Sequence, residues 1–210
     1  MPADPLEKIL VDGARDLGIV LAPAQAAALL RLNAELREWN ERFNLTGITE
    51  PVDMVRKHLL DSLSLQPYLR GTRIADVGTG AGFPGLPLAV INPQRQFALI
   101  EATGKKARFV RHAADEMGLA NVAVIPARTE DWRDAEPFDC VVSRALGKLA
   151  DFVRVAGHLC GRNGRMLAMK GRRPEAELQD LPLGWRAIAV HDIRIPGLDA
   201  ARCIVELGRA

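Results

Sequence analysis

Several features that would direct a chain to a membrane, a secretory route or a disulfide scaffold are missing here. No apolar run approaches the roughly 18 residues a membrane span needs, and the opening MPADPLEKIL carries acids early instead of a basic stretch followed by an apolar one. A signal peptide and a membrane anchor are therefore not expected, and cytoplasm is the expected location. Cys140, Cys160 and Cys203 are odd in number, widely spaced and set in apolar surroundings, which predicts buried thiols and neither disulfides nor a metal site. The net charge of +2 is too small to argue for nucleic-acid binding by itself. There is no repeat and no low-complexity segment. What remains, 48% hydrophobic and 26% charged over 210 residues, is an ordinary globular composition long enough for one α/β domain with a small appendage.

The first seventy or so residues carry helical periodicity and no strand signal. Leu6, Ile9, Leu10, Ala14 and Leu17 share one helical face. Pro23 suits the first turn of a second helix, in which Leu29, Leu32, Leu36, Trp39 and Phe43 form a packing stripe. Asn44-Leu45-Thr46-Gly47 interrupts it, and Thr49-Glu50-Pro51 opens a third helix carrying Val52, Val55, Leu59 and Leu63 inward. On that helix His58, Asp61 and Ser62 share a polar face, read either as solvated surface or as a face turned toward a cleft.

From Thr72 onward strand and helix patterns alternate, which implies a parallel sheet with right-handed crossovers. Strands are predicted at Arg73–Val77, Gln96–Ile100, Val122–Ile125, Asp139–Ser143, Arg165–Met169, Arg186–Asp192 and Arg202–Leu207, with helices between the first five. Pro196-Gly197 leaves no room for a full helix, so the last two strands should form an antiparallel hairpin at the sheet edge. The expected fold class is α/β, the methyltransferase variant of the doubly wound fold: a Rossmann-like, seven-stranded, mostly parallel sheet with an antiparallel C-terminal hairpin. Residues 1–70 would form a helical cap and residues 71–210 the catalytic domain.

The stretch RIADVGTGAGFPG, from Arg73 to Gly85, is the most informative. An apolar strand ends in Asp76, glycines follow at Gly78, Gly80 and Gly82, and Phe83-Pro84-Gly85 opens a helix. Glycine is needed where the backbone takes positive φ or lets a ligand lie against it, and the following helix start adds unpaired N–H groups and a partial positive charge. G-x-G-x-G with an acid two residues ahead departs from the dinucleotide fingerprint and fits S-adenosylmethionine, although a nicotinamide cofactor or a structural turn remains open on this stretch alone.

Ligands of an open α/β sheet bind beyond the carboxyl ends of the strands. Glu101 ends the second strand, where a carboxylate accepts hydrogen bonds from ribose hydroxyls; a salt bridge to Lys105 is the competing reading. Thr129 and Glu130 follow the third strand, as an adenine contact or as a helix start. Arg144, in Ser143-Arg144-Ala145 at the end of the fourth, is a natural partner for a phosphate or for the carboxylate of the cofactor's methionine portion. No Asn-Pro-Pro-Tyr or Asp-Pro-Pro-Tyr follows that strand, which disfavours exocyclic amine methylation, and Cys140 lies inside its strand, which disfavours thiolate attack on a pyrimidine. Transfer to an atom already nucleophilic remains, a reaction that needs little beyond alignment. Basic residues gather as Lys105, Lys106, Arg108 and Arg111, a solvated helix face, and as Arg162, Arg165, Lys170, Arg172 and Arg173, where phosphate binding is expected.

With these residues in place the chain closely resembles the RsmG family, also called glucose-inhibited division protein B. The resemblance is carried by WNERFNLTGIT (Trp39–Thr49), RKHLLDSL (Arg56–Leu63), DVGTGAGFPG (Asp76–Gly85), LIEATGKKARF, ARTEDW, SRAL and MKG, in the family's order. It implies methylation of N7 of one guanine in the decoding-region loop of bacterial 16S ribosomal RNA, with S-adenosyl-L-methionine as donor and S-adenosyl-L-homocysteine as product. It further implies that Gly78, Gly80 and Phe83, with Asp76 ahead of them, line the cofactor site, with Glu101 at the ribose, Thr129 and Glu130 near the adenine, and Arg144 beside the methionine portion and the target base. His58 and Asp61 would lie on a helix that lids the cleft, and Lys170, Arg172 and Arg173 would hold RNA phosphate. The partner would be 16S ribosomal RNA or a small-subunit assembly intermediate, with no membrane and no metal; a monomer is expected. A small-molecule or protein methyltransferase, and a nucleotide-binding module without methyl transfer, are the competing readings.

Overall fold

The computed structural model describes residues 4–144 and 146–210, so Ala145 of the Ser143-Arg144-Ala145 run lies outside the described residues. Helix α1 (Pro5–Asp16) starts where the Asp4 carboxylate accepts the Leu6 amide at 2.9 Å, with Pro5 opening the first turn. Helix α2 (Pro23–Phe43) begins with Gln25 accepting the Ala22 amide, and ends at Asn44, whose φ of 48° turns the chain left-handed. The third helix is not uniform. It runs as α3 (Pro51–Met54), a π-helical turn (Val55–Leu60) and α4 (Asp61–Leu63). Period-based reading gives only a helix there, because the π turn changes the winding and not the residue types.

Seven strands form one sheet: β1 (Arg73–Val77), β2 (Gln96–Ile100), β3 (Val122–Ile125), β4 (Phe138–Ser143), β5 (Cys160–Lys170), β6 (Trp185–Ile193) and β7 (Arg202–Arg209). Their order is β3-β2-β1-β4-β5-β7-β6, with the first five parallel and β7 antiparallel to both β5 and β6. The expected α/β class, mostly parallel sheet and C-terminal hairpin are those observed.

Two expectations are corrected. No helix joins β3 to β4; a single 3₁₀ turn, Thr129–Asp131, stands there, because beyond Trp132 the segment 133–137 is mostly charged and ends at Pro137, offering no apolar face to bury. Strand β5 starts at Cys160, not Arg165: a bulge between Phe138 and Cys140 keeps β4 paired across Gly164, where a Cβ would come within 3.0 Å of the Phe138 and Asp139 carbonyls and of the Cys160 sulfur.

Alternate strand residues face two layers. Helices α5 (Gly85–Ile91) and α6 (Gly104–Glu116) cover one face, sharing a continuous core with Leu10, Leu29, Leu32, Leu36, Leu59 and Leu63 of the N-terminal helices. Helix α7 (Leu149–Ala156) covers the other through Leu149, Phe152, Val153 and Ala156, and a short helix α8 (Glu175–Gln179) follows β5. The chain winds outward from β1 through β3 and then back through β4 and β5, so the switch point lies between the carboxyl ends of β1 and β4. All three cysteines are free and buried, and burial pushes the Cys140 thiol up to about 12.

Candidate active site

The glycine turn leaves β1 at the switch point. Gly78, Gly80 and Gly82 have φ of 66°, 62° and 89°, conformations that L side chains rarely adopt. A Cβ on Gly80 would meet nothing within 4 Å, and one on Gly78 would meet only Leu146, so both point into open space beside the sheet. A Cβ on Gly85 would collide with Leu99 and Asp76; that glycine is required by packing.

Asp76 is fully buried and braces the turn from below. Its Oδ2 accepts the Thr79 hydroxyl at 2.6 Å and the Gly85 amide at 2.7 Å, while Oδ1 is buried with no partner among the described residues. Burial raises its pKa to about 6, against the pull of those two bonds. Glu101 closes the turn from the side, Oε2 accepting the Gly80 amide at 2.9 Å and Oε1 the Thr103 amide at 2.7 Å. Lys105 is not its partner: that ammonium donates to the Phe43 carbonyl and so ties α6 to the end of α2. Thr129 is buried and Glu130 exposed in the 3₁₀ turn beyond β3.

Arg144 stands at the end of β4 in a socket built mainly by the third helix. Its guanidinium donates to the Lys57 carbonyl at 3.0 Å, approaches the Asp61 carboxylate at 3.6 Å and lies 5.3 Å from the Phe83 ring centroid. Burial lowers its pKa while the charges of Asp61 and Asp76 push back. His58 stacks on the same ring, Phe83, with ring centroids 4.7 Å apart. Its Nε2 lies 3.0 Å from the Thr46 hydroxyl and its Nδ1 3.4 Å from Arg144. Because a guanidinium only donates, Nδ1 is the acceptor and Nε2 carries the proton. Burial and then the Arg144 charge pull the imidazole down to about 3, so it is neutral at ordinary pH. The polar face of the third helix is therefore an inward one: His58, Asp61 and Ser62 are all buried.

Two cavities meet along this socket. One of about 280 Å³ is lined by Ile48, Lys57, His58, Asp61 and Arg202. The other, of about 230 Å³, opens over Leu146, Leu149 and Phe152, and the two share Arg144, Met169, Lys170 and Gly171. Lys170 does not project freely. It donates to the Gly147 carbonyl and to the Glu177 carboxylate, whereas Arg173 pairs with Glu175 at 2.6 Å and Arg172 is exposed.

Sequence reasoning missed Arg202, which donates to the Asp61 carboxylate at 3.0 Å from the far strand β7, and the Thr46 and Asn40 side chains. Asn40 accepts the Leu45 and Thr46 amides and so fixes the NLT turn under His58. The WNERFNLTGIT run contains both residues, and an amide side chain one helical turn ahead of the Asn44 break was the available signal.

The turn and acids fit a nucleoside-bearing ligand: two glycines leave room for one where side chains would intrude, and a carboxylate closes the same edge. Comparison with solved structures gives the fold. TrmN from Thermus thermophilus aligns over 74% of this chain and 53% of its own with a TM-score of 0.58 at 20% identity. A methyltransferase from Aquifex aeolicus, whose description reads SAM dependent, aligns over 75% and 93% with a TM-score of 0.56 at 17% identity. Sequence relatives are far nearer. A protein of Methylococcus capsulatus named ribosomal RNA small subunit methyltransferase G is 49% identical over 95% of this chain and 97% of its own, and its namesake in Nitrosococcus oceani is 43% identical over 96% and 94%. The family pattern described as rRNA small subunit methyltransferase G matches residues 25–205, and with relatives this similar over nearly its whole length the chain belongs to that family.

Proposed function

We propose that this protein transfers a methyl group from S-adenosylmethionine to N7 of a guanine in the decoding-region loop of 16S ribosomal RNA, in the cytoplasm. The observation that carries the reading is the pairing, at one switch point, of a glycine turn open toward the cleft with an arginine socket whose basic groups, Asp61 and His58, are already committed to Arg202, Arg144 and Thr46. When bound, the cofactor supplies a methyl group activated by a positively charged sulfur, so an acceptor that already has a lone pair needs no proton removed. Guanine N7 is such an acceptor.

What the chain must do is bind and align. Gly78 and Gly80 would let the ligand lie against backbone, Glu101 would exchange the Gly80 amide for ribose hydroxyls, and Thr129 with Glu130 would face the adenine. Asp76 and Phe83, both buried, would act by shaping the turn and the Arg144 socket. Arg144 would hold the methionine carboxylate and flank the target base, oriented by Asp61 and by a neutral His58 that adds no charge beside the reacting nitrogen. Arg172 and Arg173, exposed beyond β5, would contact RNA phosphate.

The test is a labelled-methyl assay on small ribosomal subunits lacking the modification, followed by borohydride reduction and aniline cleavage, which breaks RNA at N7-methylguanosine. Label in 16S RNA with cleavage at one guanine is expected. Label without cleavage would remove N7 as the acceptor, and no label in the RNA would remove the reading itself.

A further inference from the structure

We propose that Glu177 is a positioning residue for the methyl-transfer site, bracing Lys170 and the start of α7 so that the chain after Arg144 keeps its place in the cleft wall; this rests on the function proposed above. The Lys170 ammonium has three donors. It donates to the Gly147 carbonyl at 2.6 Å and to the two Glu177 oxygens at 3.0 and 2.8 Å. Glu177 Oε2 also accepts the Leu149 amide at 2.7 Å, the first of the N-terminal amides of α7, which helix geometry leaves unpaired and which favour a negative partner. One carboxylate thus joins the end of β5, the segment just beyond Arg144 and the first turn of α7. The joint is in the wall that the two cavities share, since Arg144 and Lys170 border both.

A lysine so committed does not serve RNA as a free phosphate ligand. Only 16% of its side chain is exposed, with both carboxylate oxygens and a carbonyl already on its ammonium. The two roles predict opposite outcomes when Glu177 is removed. If Glu177 merely masked a phosphate-binding lysine, Glu177→Ala would release Lys170, tighten RNA binding and steepen its salt dependence by about one contact. If Glu177 positions, RNA affinity and salt slope stay as in the parent, while the rate of the bound complex falls.

The experiment measures single-turnover methylation of small ribosomal subunits lacking the modification, together with RNA affinity across a salt series, for the full chain and for Glu177→Ala, Lys170→Ala and the double variant. The expected result is a rate loss of about ten- to a hundredfold in each single variant, the range for losing a charge-assisted hydrogen bond, with the double no worse than either single. Glu177→Gln, which keeps an acceptor for Leu149, should recover part of the rate, and it carries the test if thermal melting shows Glu177→Ala unfolded. A parent-like rate in Glu177→Ala and Glu177→Gln, additive losses in the double variant, or tighter RNA binding would each overturn the proposal while leaving the proposed function standing. A parent protein that fails to methylate the subunit would overturn both.

Discussion

The imidazole of His58 lies nearly parallel to the Phe83 ring, 4.7 Å between centroids and 19° between planes, and so links the third helix to the end of the glycine turn. Glycine turn and helical wall are in this way one assembly: Phe83 is met by both His58 and Arg144, which lie beside each other, and Asp61 holds Arg144.

The His58 site sets a pH dependence of stability. Its folded pKa, about 3, is below the unfolded value, so its contribution is complete above pH 6.5 and is lost as pH falls from there toward 3. Between pH 7 and pH 5 this group alone should cost the fold about 2 kcal/mol. Urea unfolding at pH 7 and pH 5 should show the parent losing about that much more than His58→Gln, while Asp76, whose raised pKa of about 6 favours the fold as pH falls, acts in both proteins alike; identical pH responses in the two proteins would show that His58 is not the group responsible.

Asp61 faces two guanidinium groups, Arg144 and Arg202. Removing one member of a buried ion cluster strands the others, at roughly 3 kcal/mol. Asp61→Asn should therefore lower the midpoint of thermal unfolding and the methylation rate together. An unchanged midpoint would mean that the cluster adds nothing to folding.

At the glycine turn, Gly80→Val places a branched side chain at φ 62°, a strain of about 1–2 kcal/mol, and aims it into the space read as the cofactor's. Calorimetry should find no S-adenosylmethionine binding in a variant that still melts cooperatively. Retained affinity would sink the cofactor assignment of this turn.

Glu101→Ala should weaken cofactor binding by roughly 1–3 kcal/mol, the range for lost charged hydrogen bonds, while RNA affinity changes little. If RNA binding falls and cofactor binding holds, Glu101 serves the other substrate.

Arg144 and the Arg172–Arg173 pair should separate by readout. Neutralising Arg172 and Arg173 together should flatten the slope of log K against log salt by roughly 0.7–0.9 for each lost contact. Arg144→Ala should instead reduce the single-turnover rate. Equal rate losses in both variants would remove the special role given to Arg144.

The first three strands are read from sequence to the residue, because each is a short apolar run with clear punctuation on both sides. The start of β5 is misread because Gly161 and Gly164 resemble a turn, and only the neighbouring carbonyls of β4 reveal that they serve close strand approach. The placement of polar groups around the switch point is legible wherever a residue sits at the carboxyl end of its own strand, as with Asp76, Glu101 and Arg144. It is illegible where partners come from remote segments: the Asp61–Arg202 bond and the Lys170–Glu177 bond depend on the order of strands and on a helix that no periodicity announces. For that reason Lys170 reads as a free cation in sequence and is a tethered one in the fold.

The π-helical turn at Val55–Leu60 changes what kind of variation this region tolerates. Each residue of a helix rotates its successors by about 100°. The π turn already holds one residue more than an α-helical turn would, so the loss of one residue within Val55–Leu60 is absorbed by a return to α winding, with Asp61 still facing both arginines. The α-helical turn ahead of it, Pro51–Met54, has no such reserve: there a single-codon gap leaves the apolar composition intact and still rotates everything downstream away from the Arg144 socket.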